Sequence, residues 1–364
     1  MNRRRAAPEK ERSMMMVSMV VAAALGAGAQ AAGPEADVER ARLEAHIRDL
    51  PALRALWVEP ERQEGLHEAE RVIERKLRDM GLEPVSQSLE WTTGGSVRVW
   101  RDGAWTVVPD PEPRRWRNIY VELPGRVRPE EVIIVGAHFD AREDTPGADD
   151  NASGVAGVLE LARTLRDRPM ERTVRLVFFN LEEVGLIGAR EHAAWTRERI
   201  DSGAEKVVGM VSVEMIGYFC DEPGCQKSPI PAIPGVFTPP DKGDSIVVVA
   251  TQASAAFARA LGAGMRASEP RMPVFMLDFV PGRGETIPDV RRSDHAEFWD
   301  IGAPAVMLTD TSEFRNPNYH KPTDTIETLD LERMTQVVRG LAGAVWRMAG
   351  PIDAAPENGA ASSP

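Results

Sequence analysis

Two runs of the chain gather groups that bind protons or metals. In GAHFDAREDTPGADDNASG, which begins at Gly136, His138 and Asp140 stand two apart, and Asp149 and Asp150 follow. In NLEEVG, Glu182 and Glu183 are adjacent, and Glu214 lies in VEMIGY. Six acids and one imidazole brought to one place repel unless a cation stands among them. Metal ions are the simplest neutralising agent. Imidazole with carboxylates suits zinc, and manganese and cobalt also bind such a set. The supply of donors suits two ions about 3.5–4 Å apart that share a carboxylate and a water. A second histidine is then expected. His46, His67 and His192 fall in helical text and read as ordinary surface or half-buried histidines. His295 and His320 both lie in polar loop text near the ends of later strands, and spacing alone does not choose between them.

The elements that carry these residues follow from hydrophobic patterning. EVIIVGAHFD, TVRLVFFNLEE and KVVGMVSVEMIGY read as nearly continuous apolar strands that end in polar residues. ASGVAGVLELARTLRD and GLIGAREHAAWTRERI read as the helices between them. SIVVVA, PVFMLDFV and PAVMLT are later strands, with helices from about Gln252 to Leu261, at DHAEFWDIG and over LDLERMTQVVRGLAGAVWRMA. Upstream, residues 36–56 and 65–82 carry apolar residues at helical spacing, with Gly81 as a C-cap. EPVSQSLEW and NIYVELPG read as strands, with a hairpin about Asp102-Gly103 between them. Buried strands alternating with helices predict an α/β fold: a three-layer sandwich with a mixed, mostly parallel sheet and helices on both faces. In such sheets function sits outside the carboxyl ends of the strands, where the acids and His138 would converge. The Pro-rich stretch from Asp221 to Asp244 reads as a long surface loop.

Composition narrows the partners. The 364 residues carry a formal net charge of −12, with no basic block in the body of the chain. Nucleic acid, whose phosphates demand Lys/Arg patches, is excluded as a partner. Residues 1–31 read as a signal peptide: Arg3, Arg4, Arg5, Lys10 and Arg12 precede an uncharged run, and Ala29 and Ala31 form a cleavage pattern. Membrane contact is expected only if this leader stays uncleaved. A catalytic domain is expected over 37–350 and a disordered tail over 351–364. Export would place the protein in the periplasm or outside the cell. In that oxidising setting Cys220 and Cys225 are expected to form a local disulfide. With two cysteines in the chain, a four-ligand cysteine zinc site is disfavoured.

GAHFD, PGADDNASG, NLEEVG, VEMIGY, SDHAEFW and YHKPTDT occur in that order. Together they resemble the secreted bacterial zinc aminopeptidases, a family of co-catalytic di-zinc peptidases related to glutamate carboxypeptidase II and glutaminyl cyclase. The resemblance runs from about Leu66 to Gly350. It implies a phosphorylase/hydrolase-like sandwich, two zinc ions and a peptide substrate with a free N-terminus. It maps His138 and Glu214 onto one zinc, Glu183 and His320 onto the other, and Asp150 onto the bridge. Glu182 matches the general base, Asp140 the carboxylate that orients the first histidine, and Tyr319 a tyrosine that hydrogen-bonds the oxyanion. His295 falls in a family motif but not at a ligand position, and Asp149 reads as structural. The resemblance also implies a cis peptide between Asp150 and Asn151. Glu214 departs from the pattern, since many family aminopeptidases carry aspartate there.

Two further readings share this fold: a sibling enzyme, either a carboxypeptidase or a glutaminyl cyclase, and a non-catalytic binding module. A carboxypeptidase would need cations for the substrate carboxylate, and Arg271, Arg283, Arg291, Arg292 and Arg315 are available. A glutaminyl cyclase uses one zinc, so the full set of ligands argues against it. A non-catalytic binding module would have lost ligands or the base. No Gly-x-Ser-x-Gly elbow is present, which disfavours a serine hydrolase.

Overall fold

The computed structural model describes residues 33–352 apart from Val236. The expected signal peptide over 1–31 lies outside the described residues, as do residues 353–364 of the expected tail. Pro351 bridges to Met170, and the Ile352 N–H donates to the Pro169 carbonyl.

Helices α1 (Arg40–Asp49) and α2 (Glu64–Asp79) come first. Strand β1 (Val85–Ser88), a hairpin of β2 (Ser96–Arg101) and β3 (Ala104–Pro109), and β4 (Arg117–Leu123) follow. The central part runs β5 (Arg128–His138), α3 (Gly154–Leu165), β6 (Arg172–Phe179), α4 (Ile187–Asp201) and β7 (Lys206–Glu214). It is followed by β8 (Ile246–Thr251), α5 (Ala255–Ser268), β9 (Val274–Val280), α6 (His295–Asp300), β10 (Ala305–Thr309) and α7 (Leu331–Ala349). Eight strands form one sheet in the order β1-β4-β6-β5-β7-β10-β8-β9, with β2 and β3 apart. β5 pairs in parallel with β6 and β7, and β7 with β10. β8 and β9 are also parallel, while β1–β4, β4–β6 and β8–β10 are antiparallel. The sheet is therefore mixed, as expected.

Side chains alternate across a strand, so a strand buried on both faces feeds two cores. Ile133, Val135 and Ala137 of β5 join the core shared with α1, α2, α3, α5 and α7. Val132 and Ile134 join the other core, with Ala189 and Ala193 of α4 and Phe298 and Trp299 of α6. This is the three-layer sandwich. Among the described residues no helix is long and apolar enough to cross a membrane.

Two helices differ from expectation. α1 stops at Asp49 and does not run to 56, because a residue before proline avoids the helical region and Leu50 is extended ahead of Pro51. α5 continues past Leu261 to Ser268, through two glycines. At Gly264 an added Cβ would lie 2.9 Å from the Ala344 Cα, so this glycine lets α5 and α7 pack closely. The segment after β7 is pinned by a Cys220–Cys225 disulfide and by backbone pairing of Cys220 with Gly243.

Candidate metal centre

β5 lies between β6 and β7, so the carboxyl ends of three neighbouring parallel strands form one rim. His138 is the last residue of β5 and Glu214 the last of β7. Beyond β6 the chain turns at Leu181, whose φ is +59°, and presents Glu182 and Glu183. Asp150 lies in the turn Ala148–Ser153 between β5 and α3, and its peptide bond to Asn151 is cis. His320 arrives from the segment after β10.

The sequence-selected donors meet there. His138 Nε2 lies 3.2 Å from Asp150 Oδ1 and 3.4 Å from Glu214 Oε2. His320 Nε2 lies 3.0 Å from Asp150 Oδ2 and 3.3 Å from Glu183 Oε2. The two oxygens of Asp150 thus face two different imidazoles. Glu182 stands beside the first group, with one carboxylate oxygen within 4.8 Å of donors on His138 and Glu214. It makes no ion pair with either histidine.

The donor set fits zinc. Two donors each about 2.1 Å from one tetrahedral zinc lie about 3.4 Å apart, close to these imidazole–carboxylate spacings. Glu183 Oε1 is buried without a hydrogen-bond partner, a free lone-pair site on a carboxylate already turned toward His320. Nitrogen and carboxylate oxygen without thiolate also admit manganese and cobalt.

Residues behind the donors hold them in place. Asp140 Oδ1 lies 3.4 Å from His138 Nδ1. The same carboxylate accepts the backbone N–H groups of Glu182 at 3.0 Å and Glu183 at 3.1 Å. Asp324 accepts the N–H groups of Asp149 and Asp150 at 3.0 and 3.1 Å. Asn151 donates to the Val213 carbonyl and accepts from the Gly154 and Met215 N–H groups, tying the bridge turn to the end of β7. Ser293 donates to Glu214 Oε2 at 2.8 Å. Asp149 accepts from the Gly217 N–H and from Asn316, and forms no ion pair with His138 or His320.

The charge balance shows why such a cluster attracts cations. Burial pushes the Glu182 carboxyl well above the usual carboxylate range, and Glu183, Glu214 and Asp294 add to the rise against His138. Glu183 is raised to about 7 by burial and by Asp150. Burial opposes charge on His320, but Asp150 and Glu183 outweigh it and raise the imidazole to about 9. Burial acts on Asp150 too, yet His138 and His320 hold it well below the usual range.

Tyr319 stacks on His320 with ring centroids 3.7 Å apart, and its Oη accepts from Arg292 Nη2 at 2.8 Å. His295 is buried away from the donors, its Nε2 2.8 Å from the Val290 carbonyl. The remaining histidines also lie elsewhere. His67 stacks on Trp116. His46 and His192 are fully buried rather than surface or half-buried, His46 beside Glu160 and His192 against Gln87, because α1 and α4 pack these faces inward. Sequence reasoning assigns no role to Asp324, Ser293 or Arg54, and none to the Asn151 side chain beyond the cis peptide before it. Asp324, Ser293 and Asn151 lie inside quoted motifs; Arg54 sits in PALRAL and carries no signal.

A mostly parallel sheet with clustered carboxylates and imidazoles at its strand ends defines an α/β sandwich with a candidate metal centre on its rim. Residues 118–345 match peptidase family M28, and the chain belongs to that family. The Escherichia coli K12 protein YfbL is 39% identical over 223 residues, covering 58% of this chain and 65% of its own. The probable lipoprotein aminopeptidase LpqL of Mycobacterium tuberculosis is 29% identical, covering 59% of this chain and 42% of its own. The aligned region is thus less than two thirds of either relative's length. In fold, the chain is similar to BSAP, a zinc aminopeptidase from Bacillus subtilis, with a TM-score of 0.62 at 14% identity over 86% of this chain and 96% of that one.

Proposed function

We propose that this chain is an exported metallo-aminopeptidase that removes N-terminal residues from peptides, using two zinc ions and Glu182 as general base. The observation that carries this reading is Asp150, whose two oxygens face separate histidine–carboxylate groups. His138, Glu214 and Asp150 would hold one ion, and His320, Glu183 and Asp150 the other. When bound, the zinc ions supply Lewis acidity and lower the pKa of the attacking water.

The chain's own groups do the rest. Glu182, free of both histidines, takes the water's proton and passes it to the leaving amine. Asp140 fixes the turn that aims Glu182 and faces the ring of His138. Tyr319 Oη accepts from Arg292, which leaves its own proton free to donate to the oxygen that gains charge in the transition state. The acidic rim suits a substrate ammonium group.

The arginines weigh against the carboxypeptidase reading. Arg271 pairs with Glu269, Arg291 with Asp300 and Arg292 with Glu313, while Arg315 bonds Gln226 and the Tyr218 carbonyl. Arg283 lies 4.0 Å from Asp300. Export is supported by the basic, then apolar, first 31 residues and by the disulfide. The test is a panel of free-amine and N-blocked peptide substrates, assayed with and without added zinc. Cleavage of blocked peptides at the same rate would overturn the aminopeptidase reading.

A further inference from the structure

Residues 33–117 precede the segment that matches the family, yet one of them reaches the centre from behind. Arg54 is 1% exposed. Its Nε donates to the Phe139 carbonyl at 2.7 Å, and its Nη1 to the Pro51 and Pro146 carbonyls at 3.1 and 2.6 Å. Its Nη2 donates to the Gly147 carbonyl at 2.5 Å. The Arg54 carbonyl in turn accepts the Ala141 N–H at 3.0 Å. These contacts grip both ends of the loop that joins His138 and Asp140 to Asp149 and Asp150.

The loop is closed tightly on this side chain. Gly147 has φ +62°, and a Cβ there would lie 2.8 Å from Arg54 Nη2. Asp324 takes the Asp149 and Asp150 N–H groups of the adjoining turn. One cation therefore holds the carbonyls of the turn while one acid holds its amides.

A buried charge without a paired partner is costly. Among the described residues no carboxylate pairs with Arg54; its acceptors are backbone carbonyls. The acids whose charge acts on it are Asp324, Asp150, Asp140 and Glu183, all belonging to the centre. The planar fork matters as much as the charge. A lysine ammonium is a compact point charge and does not reproduce donors spread over three nitrogens.

We propose that Arg54 is a positioning residue for the metal centre: its guanidinium fixes the loop 139–147 so that His138 and Asp150 present their donors already spaced for metal. This rests on the two-zinc reading.

The test uses the full chain and three variants: Arg54→Lys, Arg54→Met, and Glu160→Gln as a destabilised control whose partners are Glu39, Arg163 and His46 and not the donors. Zinc affinity is measured by competition with a chromophoric chelator, the cobalt-substituted protein by its visible spectrum, and the metal-free protein by its melting temperature. Arg54→Lys is expected to fold, to lose about 10- to 100-fold in zinc affinity, in the range seen for residues that orient ligands, and to change the cobalt spectrum. Arg54→Met is expected to lose at least as much. Glu160→Gln is expected to melt earlier with parental zinc affinity. Parental affinity and spectrum in Arg54→Lys would overturn the proposal alone. So would an Arg54→Lys chain that is unfolded without metal, since the role would then be structural. A parent chain that binds no zinc would overturn the two-zinc reading and this proposal together.

Discussion

Asp140 Oδ1 accepts the backbone N–H of Glu182 at 3.0 Å while lying 3.4 Å from His138 Nδ1. The Asp140 backbone carbonyl is 3.1 Å from the same Nδ1, so this one residue sets the first histidine through carbonyl and carboxylate, while its carboxylate holds the turn that carries the proposed base. Asparagine has a single acceptor oxygen, so Asp140→Asn gives up one of the two N–H bonds to the Glu182–Glu183 turn. Zinc affinity should fall by about 10- to 100-fold, with kcat falling too. Metal titration alongside kinetics checks this; unchanged affinity and kcat would refute the double role.

Adjacent Glu182 and Glu183 should have separable phenotypes. Glu182→Gln should keep its full zinc content and lose at least about 100-fold in kcat. Glu183→Ala should weaken one site, with excess zinc restoring part of the activity. Metal analysis on both proteins decides it, because equal loss of metal would remove Glu182 as the base.

Chelation should destabilise the fold. A ligand that binds only the native chain adds about 2.7 kcal/mol per site at a free concentration 100 times its Kd. Calorimetry should show Tm falling with a strong chelator and recovering with zinc. A Tm indifferent to zinc would contradict a preformed centre.

Glu160 should make stability depend on acid pH. It lies in α3 and receives hydrogen bonds from Arg163 and from the Glu39 N–H, with His46 3.8 Å away. Burial pushes its carboxyl up, but these partners outweigh burial and hold it at about 2, against 4.5 for the free group. A depressed carboxylate stabilises the fold above pH 4.5, and that contribution is lost as pH falls from 4.5 toward 2. Glu160→Gln should therefore cost on the order of 1–3 kcal/mol at neutral pH. The gap in Tm from the parent should narrow below about pH 4.5 and close only near pH 2. A gap constant from pH 7 to pH 3 would exclude this linkage.

The disulfide should act locally. It closes a sequence separation of 5 residues. Replacing both Cys220 and Cys225 by serine should cost about 2 kcal/mol or less by the loop-entropy estimate. Equilibrium unfolding of the double variant measures this, and failure to fold at 37 °C would show a larger role.

His138, Glu183 and Glu214 are legible because each stands where an apolar strand runs into polar residues, a boundary that hydrophobic patterning exposes. His320 was not separable from His295 by pattern, since both sit in polar text; the family resemblance made the choice. The supporting residues were harder to see. Asp324 lies four residues beyond His320, but it bonds the backbone of Asp150, 174 residues earlier in the chain. Arg54 sits among apolar residues that looked helical, and nothing local distinguishes a buried arginine there from an exposed one. α5 runs past Leu261 because Gly264 admits the close approach of Ala344 on α7, a packing reason that a helix-breaking residue does not reveal in the sequence.

Distributing the donors over β5, β6, β7 and the segment after β10 also governs how the native state is reached. Parallel neighbours pair only after their crossover connections close, so His138, Glu183 and Glu214 cannot meet until β6 and β7 have docked on β5. His320 follows β10 in the chain and can arrive only once β10 has paired with β7. A metal ion can reward only the last steps of that assembly. Interactions absent from the folding transition state act on the unfolding rate. Zinc should therefore do little to speed folding and much to lengthen the lifetime of the folded chain.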